Sequence, residues 1–283
     1  MTRTILSMLR TLLLTAVCGL FATTANAYLI GGPAAAFQTL NGGWTWDAGA
    51  FVTPLRTALQ NPANFGPGGV VAEPITTTNV NMAAANPLAG LDGFVVPWWA
   101  RTESDPYTTT VVSFFLGGGD LIILQDSGPG RDGIGDALGV PTVGQTAITP
   151  VNGIAPLFVG PFGTATNITQ GGGEEGFLSE ADVLAQGGTI VGRNTENQVI
   201  AAFWGANQYA PGAGALIIVA DIDMFTTQAT FTPALDDNGI FTLNAFAFLV
   251  TSTEPIRVPE PGTGALLVAS LVAAGFFARR RRR

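Results

Sequence analysis

Three kinds of apolar run divide this chain. One lies near its start, Leu12 to Phe21, and is preceded by Arg3 and Arg10. One lies near its end, Gly262 to Ala278, 17 residues without a charge, followed by the five arginines Arg279 to Arg283. Between them the apolar residues come in short stretches, separated by Gly, Pro, Asn and Asp.

The first run has the layout of a secretory signal peptide: a positive start, an apolar middle, and a small-x-small site at Ala25-Asn26-Ala27. Cleavage there predicts Tyr28 as the mature N-terminus. Cys18 falls inside the apolar part, and Thr15-Ala16-Val17 ahead of it does not suit a lipobox. The last run, as a helix, spans about 25 Å, at the short end of what crosses a bilayer. Flanking arginines relieve the mismatch by snorkelling and hold their end on the cytoplasmic side. The expected plan is a signal peptide over 1–27, an extracytoplasmic domain over 28–250, a linker over 251–261, a transmembrane helix over 262–278 and an Arg tail over 279–283.

Inside the domain, Tyr28 to Ile30 predicts a strand. Thr53-Pro54 opens a helix with Leu55, Ala58 and Leu59 on its apolar face. Val70 to Ala72 and Gly93 to Pro97 predict strands, the latter ending at Trp98-Trp99. Asp105-Pro106 starts a helix that buries Val111, Val112, Phe114 and Phe115. Leu121 to Leu124 is wholly apolar, as in a strand covered on both faces. Gly128 to Gly176 is rich in Gly and Pro and gives no clear pattern. Ser179 to Asp182 suggests a helical turn. Thr189 to Val191, Val199 to Trp204 and Ala215 to Ala220 predict three strands, and Asn238 caps a final helix with Ile240, Leu243, Ala247 and Val250 on one face. This alternation implies an α/β fold with a sheet parallel at its centre.

Composition narrows the chemistry. Residues 28–258 hold 19 Asp and Glu against five Arg, a net charge of −14, and no Lys, His or Cys. Such a surface excludes nucleic acid and anionic lipid as partners and suits divalent cations or neutral polysaccharide. Disulfides and thiol catalysis are excluded, as are a histidine base and the commonest zinc ligand.

The tail consists of Val258-Pro259-Glu260-Pro261, the apolar run, and Arg279, Arg280, Arg281, Arg282 and Arg283. It resembles the PEP-CTERM sorting signal of Gram-negative bacteria. The resemblance implies export through the Sec translocase and a transient inner-membrane anchor. An exosortase would then process the chain near Pro-Glu-Pro, with delivery to the cell surface or extracellular matrix.

A second resemblance runs through Leu91-Asp-Gly-Phe-Val-Val-Pro97, Gly117-Gly-Gly-Asp-Leu-Ile-Ile-Leu124 and Gly214-Ala-Leu-Ile-Ile-Val-Ala-Asp-Ile-Asp223. It is similar to the class I glutamine-amidotransferase-like, flavodoxin-like fold, a three-layer α/β domain. In that family the strand matching Leu121 to Leu124 leads to an elbow carrying a nucleophilic Cys. Here the elbow region is Gln125-Asp126-Ser127-Gly128, and the chain has no His, so amidotransferase chemistry has neither its thiolate nor its base.

In open α/β sheets ligands bind outside the carboxyl ends of the strands. That edge would carry Trp98, Trp99 and Arg101, then Asp126, Ser127 and Arg131, then Asp221 and Asp223. The last two are candidate oxygen ligands for Ca²⁺ or Mg²⁺; the alternative is that one of them caps the following turn or pairs with an Arg. Trp44, Trp46, Trp98, Trp99 and Trp204 either form an aromatic platform for sugars or fill the core. Gly171-Gly-Gly-Glu-Glu175 lacks the Lys of a phosphate loop and suggests a surface loop. The first functional expectation is a non-catalytic binding or structural module; the second is an extracytoplasmic hydrolase using carboxylates such as Asp126 and Asp221.

Overall fold

The computed structural model describes residues 27–37, 42–98, 105–125, 133–147, 149–171, 174–232 and 234–252. The leader before Ala27, the chain after Ser252, and Trp99, Arg101, Asp126, Ser127 and Arg131 lie outside the described residues.

The chain opens with β1 (Tyr28–Pro33), two short 3₁₀ turns and α1 (Thr53–Leu59). α1 has Pro54 in its first turn and buries Leu55, Ala58 and Leu59, as its spacing predicts. β2 (Ile75–Val80), β3 (Gly93–Pro97), α2 (Pro106–Leu116), β4 (Asp120–Leu124) and α3 (Gly133–Ala137) follow. Asp105 caps α2 by accepting the Tyr107 N–H at 2.8 Å. Next come β5 (Thr142–Ala147), β6 (Val151–Gly153), the small hairpin β7 (Val159–Gly160) and β8 (Gly163–Thr164), and β9 (Glu174–Leu178). The fold closes with α4 (Glu180–Ala185), β10 (Thr189–Asn194), β11 (Val199–Trp204), β12 (Leu216–Val219) and α5 (Asp237–Ser252).

One 10-stranded sheet carries everything but the hairpin. Its first five strands, β2-β1-β3-β4-β12, are all parallel. This is the flavodoxin-like order, with β12 as the fifth strand and the chain reversing direction between β1 and β3. β11 then runs antiparallel to β12, and β10, β6, β9 and β5 continue antiparallel. The parallel centre agrees with the expectation; β10 and β11 are expected strands that run antiparallel, and β5, β6 and β9, from the Gly/Pro-rich middle of the chain and its end, extend that wing.

The sheet has a core on each face, which explains the continuous apolar strands. On β4, Ile122 and Leu124 join one core, while Leu121 and Ile123 join the other. α1 and α5 cover the first face; α2, α3 and α4 cover the second. Gly214 sets how closely the β12 approach packs on β4: a Cβ there would lie 2.2 Å from the Gly119 carbonyl oxygen.

Four details depart from the sequence reading. The expected strand at Val70 to Ala72 is a single bridge between Phe65 and Val71. The real strand is β2, at the sheet edge, where only Ile75 and Val80 are buried and the polar Thr-Thr-Thr-Asn between them hides the pattern. Asp236 rather than Asn238 caps α5, accepting the Gly239 N–H at 2.7 Å. The stretch read as a surface loop becomes β9 from Glu174 onward, paired with β5, while Gly171 is buried.

Candidate functional site

The carboxyl edge of the parallel strands gathers residues far apart in sequence. Beyond β1 the chain brings up Trp44 and Trp46. Trp46 is fully buried, its ring lying where a Cβ on Gly32 would stand, 2.3 Å away. Its indole N–H donates to the Thr78 carbonyl at 2.9 Å, and the Arg56 guanidinium lies 5.4 Å above the ring. Burial lowers the Arg56 pKa, and the charge of Asp47 opposes that shift. Trp46 is therefore core, as is Trp204, whose N–H donates to the Gln186 carbonyl.

Trp44 and Trp98 behave differently. Both are partly buried and pack on the core beneath. Their rings meet edge to face at 5.5 Å, and Phe51, 37% exposed, tilts against Trp44 at 4.5 Å. This gives three aromatic rings at the chain reversal between β1 and β3. Trp98 follows β3 directly, with its N–H donating to the Leu124 carbonyl at 2.8 Å. Its φ is +31°, a left-handed backbone that costs a bulky residue about 1–3 kcal/mol. Ladder bond and ring packing together hold it there.

Behind these rings stand the two aspartates after β12. Asp221 is fully buried and caps a 3₁₀ turn over Ile222–Met224: its Oδ1 accepts the Asp223 N–H at 2.7 Å and its Oδ2 accepts the Gly171 N–H at 3.1 Å. Asp223 Oδ1 accepts from the Trp44 indole N–H at 2.9 Å and the Thr227 hydroxyl at 2.5 Å. Because the turn begins at Ile222, the two carboxylates are not the parallel pair that extended chain would give. Among the described residues no three His, Cys, Asp or Glu side chains gather as metal ligands. The capping alternative describes these contacts.

At the end of β4, where an amidotransferase carries its elbow, Gln125 is buried and its Oε1 accepts from the Thr142 hydroxyl. The structure thus brings Trp98, Asp221 and Asp223 to one edge. Trp99, Arg101, Asp126, Ser127 and Arg131 lie outside the described residues. Phe51 packs on Trp44 within one loop and Thr227 bonds Asp223 within one turn, while Gly171 reaches Asp221 from 50 positions away; none of these contacts has a pattern in the sequence.

The fold and this edge define a flavodoxin-like α/β domain with an aromatic cluster at the chain reversal. Among solved structures, the mmIFT52 N-terminal domain is similar with a TM-score of 0.52 and 15% identity, over 79% of this chain and 97% of that one. A ThuA-like protein from Bacteroides uniformis has a TM-score of 0.50 at 8% identity, over 83% and 95%. A glutamine amidotransferase from Thermotoga maritima has a TM-score of 0.41 at 8% identity, over 69% and 75%. At these identities the likeness concerns the fold alone. No curated protein matches the chain by sequence.

The tail is more specific. Residues 257–283 match the PEP-CTERM protein-sorting motif. That motif implies processing by an exosortase, with export and membrane-anchored sorting. Among the described residues no helix is long and apolar enough to cross a membrane, and Gly262 to Ala278 lie outside them.

Proposed function

We propose that this protein is a cell-surface or matrix protein of a Gram-negative bacterium, exported by the Sec translocase and released by exosortase. Its α/β domain is a non-catalytic module that binds neutral polysaccharide at the carboxyl edge of the sheet. The observation that carries the ligand class is the partly exposed Trp44–Phe51–Trp98 cluster at the reversal between β1 and β3. Flat aromatic faces suit the C–H faces of sugar rings, and a few polar groups beside them suit hydroxyls. The acidity of the domain favours a neutral glycan over an anionic one. The strained Trp98 backbone supports the same edge, since such outliers collect at binding sites.

Calorimetric titration of the exported protein with neutral oligosaccharides tests this. Trp98→Ala and Phe51→Ala should each weaken binding about tenfold, equivalent to ~1.4 kcal/mol. Affinity unchanged in both variants would overturn the site. Turnover of the glycan, lost on Asp221→Asn, would overturn the non-catalytic assignment.

A further inference from the structure

Both ends of the domain leave from one edge of the sheet, and it is not the edge with the aromatic cluster. Tyr28 is the first residue of β1, so the segment before it arrives at the amino edge of the parallel strands. Two bonds fix that placement. The Tyr28 N–H donates to the Pro74 carbonyl at 2.8 Å, and the Leu29 N–H donates to Asp92 Oδ2 at 2.7 Å. Pro74 and Asp92 immediately precede β2 and β3.

The other end is traced along α5. It begins at the carboxyl edge, where the Asn238 side-chain amide donates to the carbonyl of Met224, in the turn after β12. It then runs back across the sheet. Phe248 packs on Phe203 with ring centroids 4.7 Å apart, and Phe203 is the partner of Ile217, the second residue of β12. Ser252, one turn further, ends the helix at the amino edge. Gly262, where the apolar run begins, follows ten residues later, a reach of at most ~35 Å in fully extended chain.

We infer that, while anchored, the domain stands with the amino edge of its sheet toward the membrane and presents the Trp44–Trp98 edge outward. The inference rests on the tail acting as a membrane anchor. Given that, the orientation follows from the strand direction and from the ten-residue linker between Ser252 and the apolar run. A leader held in the same bilayer would join the domain at the same edge, through Ala27. The face toward the bilayer is then formed by the segments before β2 and β3, and the aromatic edge is open to a glycan before release as well as after it.

The test uses the full chain in phosphatidylcholine vesicles containing a headgroup-spin-labelled lipid, in a Cys18→Ala background that leaves no other thiol. A fluorophore is placed either at Ala72→Cys, exposed ahead of β2, or at Ala36→Cys, exposed just after β1. Ala89→Cys, exposed ahead of β3, serves if Ala72→Cys does not fold. Flotation with the vesicles is measured first, then quenching. Floating chains whose amino-edge label is quenched several-fold more than the Ala36 label support the orientation. Floating chains with equal or reversed quenching overturn the orientation alone. Chains that do not float overturn the anchor, and the orientation with it.

Discussion

The indole N–H of Trp44 donates to the carboxylate of Asp223 at 2.9 Å, across 179 positions of sequence. The bond joins the loop after β1 to the turn after β12. It thereby ties the aromatic cluster to the end of the fifth parallel strand. Asp223 in turn is placed by Asp221, which accepts its backbone N–H.

Trp44→Phe keeps a ring beside Trp98 but removes this donor. A hydrogen bond to a charged group contributes about 1.5–3 kcal/mol, so urea denaturation should show a loss of about 2 kcal/mol. A loss below about 0.5 kcal/mol would mean that the bond does not hold the loop.

The Tyr28 hydroxyl donates to Asp120 Oδ2 in the interior, and Asp120 Oδ1 accepts the Ala215 N–H at 2.7 Å. Burial raises the phenol well above its usual pKa of 10.0, and the charge of Asp120 raises it further. The native phenol therefore keeps its proton to higher pH than the unfolded one. Its contribution is complete below about pH 10 and falls as pH rises past that value. Tyr28→Phe should flatten this alkaline limb and, at neutral pH, cost about 1–3 kcal/mol because buried Asp120 loses a donor. Unfolding midpoints collected between about pH 7 and pH 11 read both effects.

Gly214→Ala should destabilise by about 1–3 kcal/mol or more, since its methyl would meet the backbone of Gly119 and Asp120 rather than a side chain that can turn away. Thermal unfolding reads the loss. A wild-type midpoint would require the β12 approach to move away from β4.

Deletion of Arg279 to Arg283, or replacement of Pro259, Glu260 and Pro261 by alanine, should leave the chain full-length in cells that contain exosortase. Mass spectrometry of the chain's C-terminus distinguishes processed from unprocessed protein. Normal maturation of both variants would show that processing does not read these residues.

Much of the fold is legible where burial is complete. Gly93 to Pro97, Leu121 to Leu124 and Val199 to Trp204 are apolar because both faces of the sheet are covered, and each is a strand as expected. β2 was not legible because an edge strand buries only part of its length, and Ile-Thr-Thr-Thr-Asn-Val has no run to detect. In the antiparallel wing β10 and β11 were expected, whereas β5, β6 and β9 are three to six residues long and set among glycines, so pairing rather than local pattern defines them. The candidate site was half legible. Trp98, Asp221 and Asp223 follow recognisable strands, whereas the loop that carries Trp44 and Phe51 reaches this edge through the Trp44–Asp223 bond across 179 positions.

The sequence by itself determined that the chain carries a sorting motif, because a charge-free run, a Pro-Glu-Pro motif and an arginine block are contiguous and act through local chemistry. It also determined that an α/β sheet with two covered faces forms, since hydrophobic periodicity is set residue by residue. Only the tertiary structure decided which tryptophans are core and which form the open cluster, that Asp221 caps a turn while Asp223 holds the Trp44 indole, and that both ends of the domain leave from one edge. Those outcomes depend on strand order and helix direction, which bring together residues too far apart for any local pattern to relate.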